Sequence, residues 1–349
     1  MNVDELIKLV RESPSDEILL EALCGVSLTS ELVNSFSTGK GLDGKFAPIH
    51  WTLYRNFTKS SRYLIEKGTD INLEVKNKRN EAWTPLFYAV LNNNLEMVEY
   101  LLEKGANAKH VVMLHHHPNT IFDNILSVLF TFKEHTVMEQ VEGLFSPLEG
   151  QDHTGEIEEF TGELNEEHIL ETIKNIHEAH LIRVKILKLL LNVERIDVDS
   201  WKRGNFVIFK ATPYYNRSHI VFYPPRSEKA QTQLKPLRDE VYKNDIELFT
   251  MMIHTGLVPK NFGDGFTELM SVTESRNLEL IKLYILTGQD PNTETIHGRK
   301  AEWYASECDD KETCQYLQTF DKSLKFEARR SMFLNGIDIS MINEYVKDF

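Results

Sequence analysis

Four segments of this sequence share one internal interval. Pro48 to Gly68, Pro85 to Gly105, Pro236 to Gly256 and Glu268 to Gly288 each span 20 residues, and Pro236, Glu268 and Ala301 follow one another at steps of 32 and 33. A repeat of this length constrains the fold more than any composition figure. Each copy has to fold alike, and each has to present a surface that the next copy covers.

The clearest copy begins Trp83, Thr84, Pro85, Leu86 and ends Lys104, Gly105, Ala106, Asn107. Thr84 supplies an N-cap, and Pro85 sits in the first helical turn, where a missing N–H costs nothing. Leu86, Ala89 and Val90 form one apolar stripe, and Leu95, Val98, Leu101 and Leu102 form a second. Gly105 ends the second helix by taking the left-handed conformation. The unit is a short helix, a tight turn, a second helix and a glycine stop. Ala47-Pro48-Ile49-His50, Lys235-Pro236-Leu237, Asp264 to Leu269 and Gly298 to Ala305 open the other copies.

With its Thr-Pro-Leu opening and its Gly-Ala-Asn close, the pattern resembles the ankyrin repeat. The resemblance implies an all-α ankyrin-repeat solenoid. Only His50 keeps the family's histidine, Phe87, Arg238 and Met270 standing there in the other copies. The Thr-to-His hydrogen bonds of an ideal array are therefore expected to be mostly absent, leaving a less regular stack held by apolar burial. Glu74 to Glu81 reads as a lengthened, charged finger between the first two repeats.

The middle of the chain breaks the pattern. Pro118 stands where a third repeat should start, and Asn119 to Phe132 reads as its inner helix. Loop signals follow, including the acidic run Gly155 to Glu159. A helical pattern runs from Glu166 to Leu191, and its last half reads as the missing outer helix. This is a split third repeat with a helical insertion. Further on, Phe206 to Phe209 and Ile220 to Tyr223 are β-branched and aromatic runs. They read as a small β-hairpin arm, or as a degenerate repeat whose outer helix Pro224-Pro225 would break. The expected organisation is an N-terminal helical cap at 1–45 and repeats 1–2 at 46–117. The split repeat 3 follows at 118–192 with its insertion at about 131–180. The hairpin arm or degenerate repeat occupies 193–233, repeats 4–6 occupy 234–320, and a C-terminal helical cap occupies 321–349.

Chemistry is sparse. Nine of the 13 histidines lie between His110 and His180. His115-His116-His117 point different ways, and His177 with His180 share a helix face without a third ligand at metal spacing, so no metal is expected. Cys24, Cys308 and Cys314 give no disulfide framework and fit a reducing, intracellular or cytoplasmic setting, with export into a host cell left open. No kinase, dinucleotide or hydrolase motif is present, and neither Gly39-Lys40-Gly41 nor Gly263-Asp264-Gly265 is a phosphate loop. No catalytic residue and no cofactor is expected. A formal charge of −14 argues against nucleic acid as a partner. No membrane span is visible, nor a secretory leader at the start.

What the resemblance implies is protein binding through the concave surface built from inner helices and finger tips. In this numbering those positions are Tyr54 and Arg55, Trp83, Leu91 and Asn92, and later Tyr242, Lys243, Phe266 and Glu274. Trp83 and Phe266 read either as partner-binding hot spots or as rings packed on the neighbouring finger. The competing functional class is an enzyme lodged in the insertion. Irregular ankyrin chains of this kind resemble effectors that intracellular bacteria deliver into host cells.

Overall fold

The structure is a computed structural model. It describes residues 1–37, 46–76, 82–114, 117–120, 166–193, 228–254, 265–273, 275–308, 310–320 and 324–337. The fold is mostly helical, all-α in class with two short antiparallel hairpins. It divides into two compact units, the first Met1–Leu129 with Lys185–Glu194, the second Phe130–Val184 with Arg195–Phe349.

The first unit is a row of helix pairs. Helix α1 (Val3–Glu12) opens with a capping box between Asn2 and Glu5, α2 (Asp16–Cys24) is capped by Ser15, and the single turn α3 (Ser30–Val33) by Thr29. Then come α4 (Pro48–Tyr54) and α5 (Thr58–Glu66), followed by α6 (Pro85–Leu91) and α7 (Leu95–Glu103). Helices this short are unstable alone, since isolated helices below roughly 12–15 residues are marginal. Stacking makes them persist. Helix α1 lies on α4, α4 on α6, and α2 on α5. The seams bury Leu6, Val10, Leu19, Leu23, Ile49, Leu53, Leu64 and Leu101 almost completely. Each such side chain contributes about 1.5–3 kcal/mol.

The repeat spacing holds here in detail. Pro48 and Pro85 occupy the first turns of α4 and α6, and Gly68 and Gly105 end the units at φ of +96° and +90°. The turn inside each unit is made by Asn56 and Asn93, both left-handed. Asparagine tolerates that conformation better than most side chains. Strands β1 (Val75–Lys76) and β2 (Ala82–Trp83) close the first finger, with Val75 opposite Trp83. A second finger pairs β3 (Val111–Leu114) with β4 (His117–Thr120). Pro118 and Asn119 thus extend a hairpin rather than opening an inner helix, with Met113 opposite Pro118 and Val112 opposite Asn119. Residues 121–132, the rest of that expected helix, lie outside the described residues.

Helix α8 (Glu166–Val193) covers the helical pattern after the insertion, and its residues from Lys185 count with the first unit. The second unit contains α9 (Glu228–His254), α10 (Glu268–Thr273), α11 (Leu278–Leu286), α12 (Ala301–Glu307), α13 (Lys311–Gln318) and α14 (Leu324–Leu334). Helix α10 packs on α11 and α12, α12 on α13, and α11 on α9 and α14. Gly288 ends the α10–α11 pair at φ +105°, as its spacing requires.

One repeat expected from sequence is built differently. Pro236 does not open a short inner helix: α9 runs unbroken from 228 to 254 with Pro236 inside it. Asn244 occupies the place of Asn56 and Asn93, yet it stays helical and donates its side-chain N–H to the Glu240 carbonyl at 2.9 Å. The proline's lost hydrogen bond falls on an exposed turn, while Val241, Leu248, Phe249 and Met252 are buried along the continuous helix. The first six residues of α9, 228–233, were expected in the hairpin arm. Both aromatic runs of that arm, the acidic run and most of the insertion lie outside the described residues.

Candidate partner-binding surface

Helix α4 buries most of its circumference and leaves one side. On α4, Ile49, His50, Thr52 and Leu53 face neighbours, which turns Trp51 and Tyr54, three residues apart, to the remaining side. Trp51 lies 5.2 Å from Phe46 and 5.8 Å from Tyr54, and Phe46 reaches Tyr88 of α6 at 6.3 Å. The Arg11 guanidinium of α1 sits 4.8 Å over the Trp51 ring. Tyr54 is 60% exposed. The result is a run of rings from α4, α6 and the residue-46 segment, with a guanidinium of α1 laid over it, ending on an open phenol.

The residues named from sequence divide between this face and the joints of the stack. Tyr54 is on the face, and Leu91 is half-buried at the matching place on α6. Arg55 is a joint: its Nη1 donates to the carbonyls of Val10, Arg11 and Ser13 at 2.8, 2.9 and 2.6 Å, fastening the end of α1. Asn92 donates to the Leu53 carbonyl. Trp83 is half-buried, its ring 4.7 Å from Phe87 and 5.5 Å from Tyr88. In the second unit, Tyr242 donates its hydroxyl to the Ser275 carbonyl at 3.0 Å, and burial pushes the phenol up to about 12. Lys243 is exposed, and Phe266 stands edge-on to Tyr304 at 5.6 Å. Glu274 lies outside the described residues.

Sequence reasoning missed most of the polar stitching between repeats. His50 Nε2 donates to the Leu73 carbonyl, 2.9 Å away, and desolvation lowers its pKa to about 4. Asparagines at other positions make further bonds between repeats. Asn94 donates to Asn56 Oδ1 and to Thr58 Oγ1, both at 2.7 Å, while its own oxygen caps α7. Asn34 Oδ1 accepts from the Asp70 N–H and Asn72 Oδ1 from the Asn107 N–H, again at 2.7 Å each. Helix α5 has no capping side chain of its own; the Asp16 carboxylate of α2 accepts the Lys59 and Ser60 N–H groups instead. Asn34, Asn72 and Asn107 stand 38 and 35 positions apart and at different distances from their glycine stops, so they left no fixed interval to read.

His177 and His180 are both buried, and His180 Nε2 meets Asp245 Oδ1 at 2.7 Å. Among the described residues no three His, Cys, Asp or Glu side chains are gathered as a metal ion needs. No described helix is long and apolar enough to cross a membrane.

The family model for ankyrin repeats, three copies, matches residues 18–111, beginning inside α2, in the stretch that reads from sequence as a cap. No curated protein matches this chain. The model covers the helix pairs whose stacking, turn asparagines and glycine stops have just been described, and on that ground residues 18–111 of this chain are ankyrin repeats.

Proposed function

We propose that the inner-helix face of the first unit holds a partner protein. Ankyrin repeats are protein–protein interaction modules, and the observation that carries the reading here is Tyr54. It is the most exposed aromatic side chain among the described residues, and it ends a ring system that rests on Phe46, Trp51 and Arg11. A rigid aromatic with a free edge and a fixed base gives contact area at low ordering cost. Arg55 and Asn92, spent on carbonyls of the neighbouring repeat, support this face rather than contact the partner.

The test is site-specific photo-crosslinking in cells expressing the protein. A benzophenone side chain replaces Tyr54 in one variant and the exposed Glu99 of α7 in another. Defined adducts from position 54 and none from position 99 support the reading. Adducts from 99 alone, or from neither, overturn it.

A further inference from the structure

Between α11 and α12 the chain makes a compact turn at residues 295–299. Thr295 N donates to the Arg299 carbonyl at 3.0 Å and Gly298 N to the Thr295 carbonyl at 2.8 Å. The Thr295 hydroxyl accepts from the His297 and Arg299 N–H groups at 3.3 and 3.2 Å. Four bonds inside five residues fix the turn, and what they hold outward is Ile296, 74% exposed. Behind it Trp303, 36% exposed, begins the outer side of α12, standing edge-on to Tyr304 at 4.9 Å.

Charge is the second observation. The chain has 53 acidic and 39 basic residues; around this turn Glu294 is paired with Lys300 and Glu302 accepts from Gln318, which leaves the Arg299 guanidinium as the charge the turn presents. Arg299 lies 4.0 Å over the Trp303 ring and has no carboxylate within ion-pair distance among the described residues. Lys300 is held by Glu294 at 3.4 Å, and His297 is exposed. A guanidinium stacked on indole keeps its N–H edge directed outward and loses little freedom when a carboxylate arrives. The fixed turn removes the ordering cost on the apolar side in the same way.

We propose that Ile296, Arg299 and Trp303 form a docking point for an acidic partner segment that also carries apolar side chains. Carboxylates meet Arg299 and His297 while an apolar side chain covers Ile296 and the open edge of Trp303. This rests on the reading of the chain as a protein-binding scaffold and deepens it, naming a contact point between two helix pairs and a partner chemistry for it.

The experiment uses the full chain and labelled synthetic peptides repeating Glu-Glu-Leu, Lys-Lys-Leu and Glu-Glu-Gly, followed by fluorescence anisotropy. The Glu-Glu-Leu peptide is expected to bind best and to weaken as salt rises from about 50 to about 300 mM. Arg299→Glu should weaken it roughly fivefold, with Arg299→Gln and Ile296→Ser giving smaller losses. Circular dichroism of each variant checks that the fold is kept, and the mild pair decides if the reversal variant does not fold. Glu99→Gln, on the exposed side of α7, should leave peptide binding unchanged. Equal or tighter binding of the Lys-Lys-Leu peptide, equal binding of Glu-Glu-Gly, or unchanged affinity in Arg299→Glu and Arg299→Gln overturns the proposal. Adducts at position 54 without peptide binding sink this inference alone; peptide binding through Arg299 without such adducts sinks the first-unit surface alone.

Discussion

In the second unit, Nε2 of His180 lies 2.7 Å from Oδ1 of Asp245, both side chains almost completely enclosed. The bond ties α8 to α9, two helices that the sequence alone does not link. His180 Nδ1 has no partner among the described residues, so the carboxylate fixes the ring with its proton on Nε2. Asp245 also lies close enough to Tyr284 to raise its phenol, after burial and Glu268.

Removing the acceptor leaves a buried N–H with nothing to receive it. Asp245→Ala is expected to cost about 2–3 kcal/mol in urea unfolding of the full chain, the size of a hydrogen bond to a charged group. Asp245→Asn keeps an acceptor and should cost less. Equal midpoints for wild type and Asp245→Ala would show that the pair contributes nothing to the second unit.

Two buried histidines make stability depend on pH. Desolvation lowers His50 to about 4, and it lowers His177 to about 4 as well, with His180 and Arg238 adding to the latter. In the unfolded chain both rings protonate below about 6.5. Between that value and about 4 the unfolded state binds more protons than the folded one, so stability rises with pH across this window and is lost as pH falls through it. Each ring accounts for up to about 3 kcal/mol of that loss. Urea midpoints at pH 7.5 and pH 5 should differ in the wild type, and His50→Gln and His177→Gln should each flatten the difference. Parallel shifts in wild type and both variants would mean other groups carry the acid response.

The stitching between repeats separates structural side chains from contact side chains. Asn94→Ala removes two inter-repeat bonds and the cap of α7, and Asp16→Ala removes the borrowed cap of α5. Each is expected to cost about 1–3 kcal/mol. Tyr54→Ala, exposed and at the end of its ring stack, should stay within about 0.5 kcal/mol of wild type. Thermal unfolding of the three variants checks this. A loss at Tyr54 as large as that at Asn94 would make it a structural residue and remove the argument for its open edge.

These results mark what a single sequence carries. The helix pairs at Pro48 to Gly68 and Pro85 to Gly105 were legible because proline, apolar spacing and glycine act within one short unit and need no distant partner. Helix α9 was not, because Pro236 and Asn244 carry the local signs of a start and a turn. The burial of Val241, Phe249 and Met252 along one unbroken helix outweighs them. Arg55 reads as a surface cation until the carbonyls of Val10, Arg11 and Ser13, more than 40 positions away, are brought beneath it. The exposed Ile296 was missed for the opposite reason. Its position depends on a turn closed by Thr295, whose hydrogen bonds leave no periodic trace.

That turn is also where one glycine is required by contact as well as by conformation. Gly265 has φ +79°, and a Cβ there would stand 2.3 Å from the Glu294 carbonyl oxygen and 3.1 Å from Thr295 Cα. Gly105 has φ +90° with nothing near the same position. Gly105→Ala therefore meets only left-handed strain, about 1–2 kcal/mol. Gly265→Ala adds a clash with backbone that has to move, and should cost roughly 2–4 kcal/mol in all. Because the displaced backbone carries Thr295, Gly265→Ala should also weaken binding of the Glu-Glu-Leu peptide, while Gly105→Ala leaves it unchanged. Urea unfolding and anisotropy on the two variants decide it. Equal stability losses would mean that Glu294 and Thr295 yield freely to a methyl group. The turn would then lack the rigidity that holds Ile296 outward.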